Sequence, residues 1–178
     1  VLDNGIAFYS SPKNKLIVFN EKSDSGHKHF DNGSFVLYRN LKPILVDSGR
    51  YTYHDICWRK YFKSPQVHNM AIVDGATTID PFAVELTKFE KDGISVIVSR
   101  YKDALSGLNM LRCYGIIYDN SFLIADIVIG KGKHLLETFY TPSDDYNFVL
   151  NSSNDVYLYS NFGHETYSFL NHCALTPS

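Results

Sequence analysis

Gly115-Ile116-Ile117-Tyr118-Asp119-Asn120-Ser121-Phe122-Leu123-Ile124 decides the fold class. Two short runs of β-branched and aromatic residues flank Asp119-Asn120. Asp and Asn tolerate the left-handed backbone that a two-residue hairpin turn needs. The same grammar recurs on both sides. Pro43-Ile44-Leu45-Val46 follows Ser34-Phe35-Val36-Leu37-Tyr38 across Arg39-Asn40-Leu41-Lys42, and Ile94-Ser95-Val96-Ile97-Val98 opens after Lys91-Asp92-Gly93. Lys15 to Phe19, Met70 to Val73 and Val156 to Tyr159 read as further strands, the last taken as part of the same sheet system. Only Tyr53 to Phe62 suggests one or two helical turns. About ten to twelve strands with regularly spaced turns predict an all-β fold, an antiparallel β-sandwich of two packed sheets with little helix. Without repeats, low-complexity tracts or a Pro/Gly-rich linker, residues 1–178 read as a single domain.

Composition narrows the function classes. The 178 residues carry 17 Lys+Arg against 19 Asp+Glu, so no global basic field favours nucleic acid. The longest apolar run, Phe122 to Ile129, is broken by Asp126 and falls short of the ~20 residues of a membrane span. Three cysteines, Cys57, Cys113 and Cys173, fit neither a disulfide scaffold nor a CxxC zinc site, and Cys57 reads as a small buried hydrophobe. The start at Val1 shows no signal peptide and reads as a fragment or processed product. The 13 Tyr suit half-buried strands and surfaces that stack on sugars.

The chemistry-bearing residues gather where the apolar pattern pauses. His27 and His29, at i and i+2, project to one face of extended chain. Asp47 ends the strand at Val46, and His68 precedes the strand at Met70. His29, Asp47 and His68 supply nitrogen and oxygen donors suited to Zn²⁺. The same residues serve equally well as hydrogen-bonded groups in a half-buried polar seam. Asp24 and Asp31 flank the pair as acceptors for imidazole N–H groups or as loop caps. Asn69 reads as a backbone-capping residue, and His54, His164 and His172 as surface or packing residues. Arg50-Tyr51-Thr52-Tyr53-His54 and Trp58-Arg59-Lys60-Tyr61-Phe62-Lys63 form a basic, aromatic-rich loop after Asp47. Arg50, Tyr53 and Arg59 are its candidate contacts to an acidic sugar chain.

The wider string is more specific. Gly26-His27-Lys28-His29-Phe30-Asp31-Asn32-Gly33-Ser34-Phe35, then Leu45-Val46-Asp47-Ser48-Gly49 with Tyr51, resembles the heparinase II/III-like family of polysaccharide lyases. Arg59-Lys60-Tyr61, Val67-His68-Asn69, Val73-Asp74-Gly75, Arg112, Asp126-Ile127-Val128 and Gly132-Lys133-His134 extend the likeness over roughly residues 20–140. The resemblance implies an N-terminal helical toroid joined to a C-terminal sandwich, with an acidic polysaccharide cleaved by β-elimination between them. It implies His27 as the catalytic residue and His29, Asp47 and His68 as ligands of one mainly structural zinc. His134 is expected to be a structural hydrogen-bonding residue. The toroid is not in this sequence, so the chain alone is expected to be inactive, with the helical domain and the polysaccharide as its partners. The resemblance also suggests a periplasmic or extracellular parent. Two other classes compete. A cupin-like metalloenzyme also uses H-x-H, but no Glu follows His29 among Phe30 to Ser34. A non-catalytic carbohydrate-binding or structural sandwich needs no active site at all.

Overall fold

The structure, a computed structural model, describes residues 5–23, 26–54, 57–76, 78–82, 84–150, 156–160 and 166–169. Asp24, His164, His172 and Cys173 lie outside the described residues. By its internal contacts the chain divides into two compact units, Val1–Thr141 and Pro142–Ser178.

In the first unit, β1 (Ile6–Ser10), β2 (Asn14–Phe19), β3 (Ser34–Arg39) and β4 (Lys42–Leu45) form one antiparallel sheet in chain order. A helix α1 (Cys57–Lys63) and a 3₁₀ turn (Pro65–Val67) lead to β5 (Ala71–Val73). A second antiparallel sheet follows, β6 (Glu85–Lys91), β7 (Ile94–Lys102), β8 (Asn109–Ile117) and β9 (Ser121–Ile129), and β10 (Leu136–Thr138) pairs with β5. The second unit holds β11 (Tyr146–Leu150), β12 (Val156–Ser160) and β13 (Thr166–Phe169) as a separate three-stranded sheet. The expected all-β sandwich is thus observed. The Val156 run is a strand, and among the described residues it pairs with β11 and β13 of this small sheet.

Alternation makes the core. Leu16 and Val18 of β2, Phe35 and Leu37 of β3, and Ile97, Tyr101, Met110 and Tyr114 of β7 and β8 are buried. Each large apolar side chain so buried contributes on the order of 1.5–3 kcal/mol. The two four-stranded sheets meet through named contacts. The Phe35 ring lies edge-on to Tyr114 with centroids 5.3 Å apart. The Asn20 side chain, just past β2, donates to Glu85 O at 2.7 Å and Arg100 O at 3.0 Å. β6, polar at Glu85, Lys88, Glu90 and Lys91, shows no sequence signal; this edge strand forms by pairing with β7 along its full length.

The hairpin after β8 departs from expectation by one residue. Tyr118 and Asp119, not Asp119 and Asn120, take positive φ. Tertiary contacts fix this register. The Asp119 carboxylate accepts from Ser11 Oγ and from Asn14 Nδ2, each at 2.6 Å, across the sandwich. The helix lies where expected, but Cys57 is exposed and α1 buries no residue, so that thiol is not a core group.

Candidate functional site

The H-x-H loop, the segment after β4, and the residues before β5 come together at one edge of the first unit. Their positions are set from beneath by a buried polar clamp. Arg112 on β8 is fully buried and sends Nη1 to Asn69 O at 2.6 Å and toward Gly33 O at 3.4 Å. Its Nε lies 3.0 Å from Asp126 Oδ1, on the adjoining strand β9. Tyr114 also donates its hydroxyl to Gly33 O. Gly33 has φ +81°, and a Cβ there would sit 2.5 Å from the Tyr101 ring, so a side chain at this position would collide with that ring. Asn69, also fully buried, donates to Phe35 O at 2.7 Å and Val46 O at 2.9 Å, and accepts from Thr141 N–H. It therefore ties β3, the Asp47 segment and the His68 segment together, as a backbone-satisfying residue should.

On this base, His68 Nδ1 lies 2.7 Å from Asp47 Oδ2. Burial raises the Asp47 pKa, but the hydrogen bond and charge of His68 and the Gly49 N–H outweigh it, and the net direction is down. Gly49, at φ +64°, turns back so that its N–H reaches Asp47 Oδ1 at 2.8 Å. An ionised carboxylate only accepts, so His68 Nδ1 carries a proton, and in the neutral ring the lone pair is on Nε2. That Nε2 is buried and meets no hydrogen-bond partner. The His29 ring lies beside it, centroids 5.3 Å apart and tilted by 45°. Burial, then His68 and Arg50, lower the His29 pKa, which favours the neutral imidazole that a metal needs.

The expected trio is therefore adjacent. It does not form a coordinating cluster as it stands: among the described residues no three His, Cys, Asp or Glu side chains are grouped to hold an ion. Each Asp47 oxygen accepts one hydrogen bond, from Gly49 N–H and from His68 Nδ1–H, so this carboxylate orients the His68 ring. The donor chemistry and the orphaned Nε2 fit Zn²⁺, with Asp47 orienting its ligand.

His27 is exposed at the mouth of an open polar cleft of about 420 Å³, lined also by His29, Asp47, Arg50 and Tyr53. Its Nδ1 lies 3.2 Å from Arg50 Nη2. Guanidinium only donates, so Nδ1 accepts and the neutral ring carries its proton on Nε2. The Arg50 guanidinium covers the Tyr53 ring at 3.7 Å from the centroid, and Tyr53 lies edge-on to His27 at 5.6 Å. Arg50 Nη1 is buried without a hydrogen-bond partner. Arg59 also faces the Tyr53 ring, at 5.9 Å from its centroid, and donates to Thr52 O at 3.1 Å and Gly26 O at 2.8 Å, tying α1 to the H-x-H loop. Asp31 accepts from Lys28 at 2.5 Å, and no hydrogen bond joins it to an imidazole among the described residues. His54 is exposed with no side-chain partner among the described contacts. His134 is structural as expected, bound to Asp74 Oδ2 at 2.8 Å. One lining residue carries no sequence signal of its own, Glu21 at the cleft edge; Arg112, buried beneath the site, stands out only through the family resemblance, not through its place in an alternating strand.

This geometry agrees with the comparisons. Residues 2–169 match the family described as heparinase II/III-like, C-terminal. The chain belongs to that family. The heparinase II/III-like assignment removes the footing for a cupin. No curated protein matches. Among solved structures, a mutant of the heparan sulfate lyase HepC from Pedobacter heparinus aligns at TM-score 0.80 and 19% identity, covering 90% of this chain and 26% of that one. The parent HepC aligns at 0.77 and 19%, covering 87% and 26%. A heparinase III gene product aligns at 0.68 and 17%, covering 94% and 32%. At these identities the likeness concerns the fold, and the chain spans about a quarter to a third of those structures. Among the described residues no helix is long and apolar enough to cross a membrane.

Proposed function

We propose that this heparinase II/III-like chain is the sandwich part of a polysaccharide lyase that cleaves uronate-containing acidic polysaccharides, heparan sulfate-like or alginate-like, by β-elimination. The observation that carries the reading is the Arg50–His27 contact. With Nδ1 occupied by Arg50, His27 presents Nε2–H as a donor, and the Arg50 guanidinium beside it supplies a fixed positive charge. Removing the proton α to a uronate carboxylate builds negative charge on that carboxylate. A fixed donor and a fixed cation in one cleft stabilise that charge as it develops. In this tautomer His27 does not take the proton, so the base belongs to the helical domain that completes the cleft in a full-length parent. Tyr53 packs Arg50 and His27 from the side, and Arg59 holds the loop that carries His27.

His29 and His68, with Asp47 behind His68, are the residues that would hold one Zn²⁺. The ion would supply a fixed cross-link between the H-x-H loop and the His68 segment, holding His27 in place. Lyases that act on extracellular polymers need the periplasm or the outside of the cell, and that is the compartment this reading assigns to the parent.

The test uses the full-length protein. Unsaturated uronate absorbance is followed on a panel of acidic polysaccharides, comparing wild type with His27→Ala at equal zinc content. Loss of a positioned donor lowers kcat by roughly 10²–10³-fold. Wild-type turnover in His27→Ala would remove the catalytic assignment and leave a carbohydrate-binding sandwich.

A further inference from the structure

Helix α1 carries more exposed aromatic and cationic groups than its place in the fold requires. It buries none of its residues. Trp58 and Tyr61 are 53% and 51% exposed, their rings T-shaped at 6.0 Å. Beside α1 lies a hollow of about 660 Å³, lined by Phe30, Arg59, Lys60, Tyr61, Lys63 and Gln66. Phe30 is held in place because its other side packs on the core cluster around Met70 and Tyr101. The cations are out of balance. Among the described residues, none of Arg50, Arg59, Lys60 and Lys63 is in an ion pair with a carboxylate. Burial, then Arg59 and Arg50, push the Lys63 pKa down, as expected of a cation crowded by its own kind. The surface is also joined mechanically to the cleft. Arg59 Nη2 and Lys63 Nζ both reach Gly26 O, next to His27, and Phe30 N–H donates to Lys63 O at 2.9 Å.

We infer that this α1 hollow is a second saccharide subsite, taking an anionic sugar unit some residues along the chain from the bond cut at His27. Tyr61 offers a ring face for the apolar side of a pyranose, while Lys60 and Lys63 meet its carboxylate or sulfate oxyanion. The inference rests on the lyase reading and extends it to substrate length.

The experiment measures KM and kcat of the full-length protein on size-fractionated uronate oligosaccharides, sulfated and desulfated, for Lys60→Glu, Tyr61→Ala and Tyr61→Phe. Lys60→Glu and Tyr61→Ala raise KM about tenfold on long oligosaccharides and leave the shortest cleavable ones unchanged, with kcat preserved. Tyr61→Phe retains the ring and behaves as wild type. A sulfated-only effect identifies a sulfate as the group bound; an equal effect on both series identifies the carboxylate. Binding is read independently from Trp58, the one tryptophan of the chain, as the fluorescence change on adding oligosaccharide relative to Trp58→Phe. That signal persists even in a protein that cleaves none of the panel, which separates failure of the subsite from failure of the lyase reading. A KM effect independent of length, or no Trp58 response to any oligosaccharide, overturns the subsite. So does loss of thermal stability in Lys60→Glu without a length-dependent KM, which would make α1 a contact surface for the helical domain.

Discussion

Two histidine–aspartate pairs in this chain make almost the same contact and do different things. His68 Nδ1 meets Asp47 at 2.7 Å, and His134 Nδ1 meets Asp74 at 2.8 Å. Both follow or precede a strand end around β5. The second ring nitrogen separates them. His134 Nε2 reaches Lys131 O at 3.0 Å, so every polar atom of that ring has a protein partner. His68 Nε2 is buried with none. A buried polar atom without a partner carries a desolvation penalty of about 1–3 kcal/mol. It persists only where something else meets it, and here the His29 ring stands alongside. The contact itself does not mark a site; the leftover nitrogen does.

The sharpest way to break that contrast is to remove each imidazole. His68→Ala abolishes zinc binding, near one ion per chain by elemental analysis in the wild type, and removes lyase activity of the full-length protein. His134→Ala keeps both. Equal zinc loss in the two variants would show that the orphaned Nε2 has no special role.

How much of this could be seen in the sequence follows from the same contrast. Periodicity revealed most strands and the helix, because burial of alternate side chains writes itself into the chain locally. It named no run for β1, β6, β10, β11 or β13, β6 being a polar strand that pairs with β7 at the sheet edge, and it placed the Tyr118 turn one residue late, because Ser11 and Asn14 draw Asp119 from across the sandwich. At the site, spacing and the family string brought out His27, His29, Asp47 and His68, which the fold does gather. Spacing could not show that Asp47 stands behind His68, nor that Arg59 is committed to two backbone carbonyls. Arg112 was least legible in role. Its clamp on Gly33 and Asn69 joins residues far apart in the chain, and nothing local distinguishes it from a solvated arginine on a strand.

A smaller effect tests the role of the carboxylate. Asp47→Asn keeps the size and one oxygen but no longer holds His68 Nδ1–H with a charge. Loss of such an orienting carboxylate weakens metal binding about 10–100-fold. Chelator competition at neutral pH reads this directly. Asp74→Asn leaves the same competition curve unmoved. If Asp47→Asn also leaves it unmoved, Asp47 is neither a ligand nor the group that turns His68.

The smallest effect belongs to the exposed pair, and its sign is fixed by geometry. A carboxylate and a carbonyl both accept, so with Nδ1 on Asp74 and Nε2 on Lys131 O the His134 ring donates twice and is the imidazolium form. The Asp74 hydrogen bond, then the Lys131 carbonyl and the Asp74 charge, raise the His134 pKa above its ordinary 6.5, with burial opposing. The Leu135 N–H, then His134, lower the Asp74 pKa below its ordinary 3.8, again with burial opposing. A raised histidine stabilises the fold fully below its unfolded pKa and loses that contribution as pH climbs through the folded value. A lowered aspartate contributes above its unfolded pKa and loses it as pH falls through the folded value. The latch between Lys131–Leu135 and the turn after β5 therefore holds from the depressed Asp74 titration up to the elevated His134 titration. An NMR titration of the His134 ring shows its midpoint above the ordinary histidine value in the wild type and closer to it in Asp74→Asn. Exchange of the Leu135 amide, which donates to Asp74 Oδ1 at 2.9 Å, quickens on the alkaline side of the same midpoint. A midpoint unchanged by Asp74→Asn would mean that the ring does not hold its proton through Asp74, and the likeness between the two pairs would end at the distance.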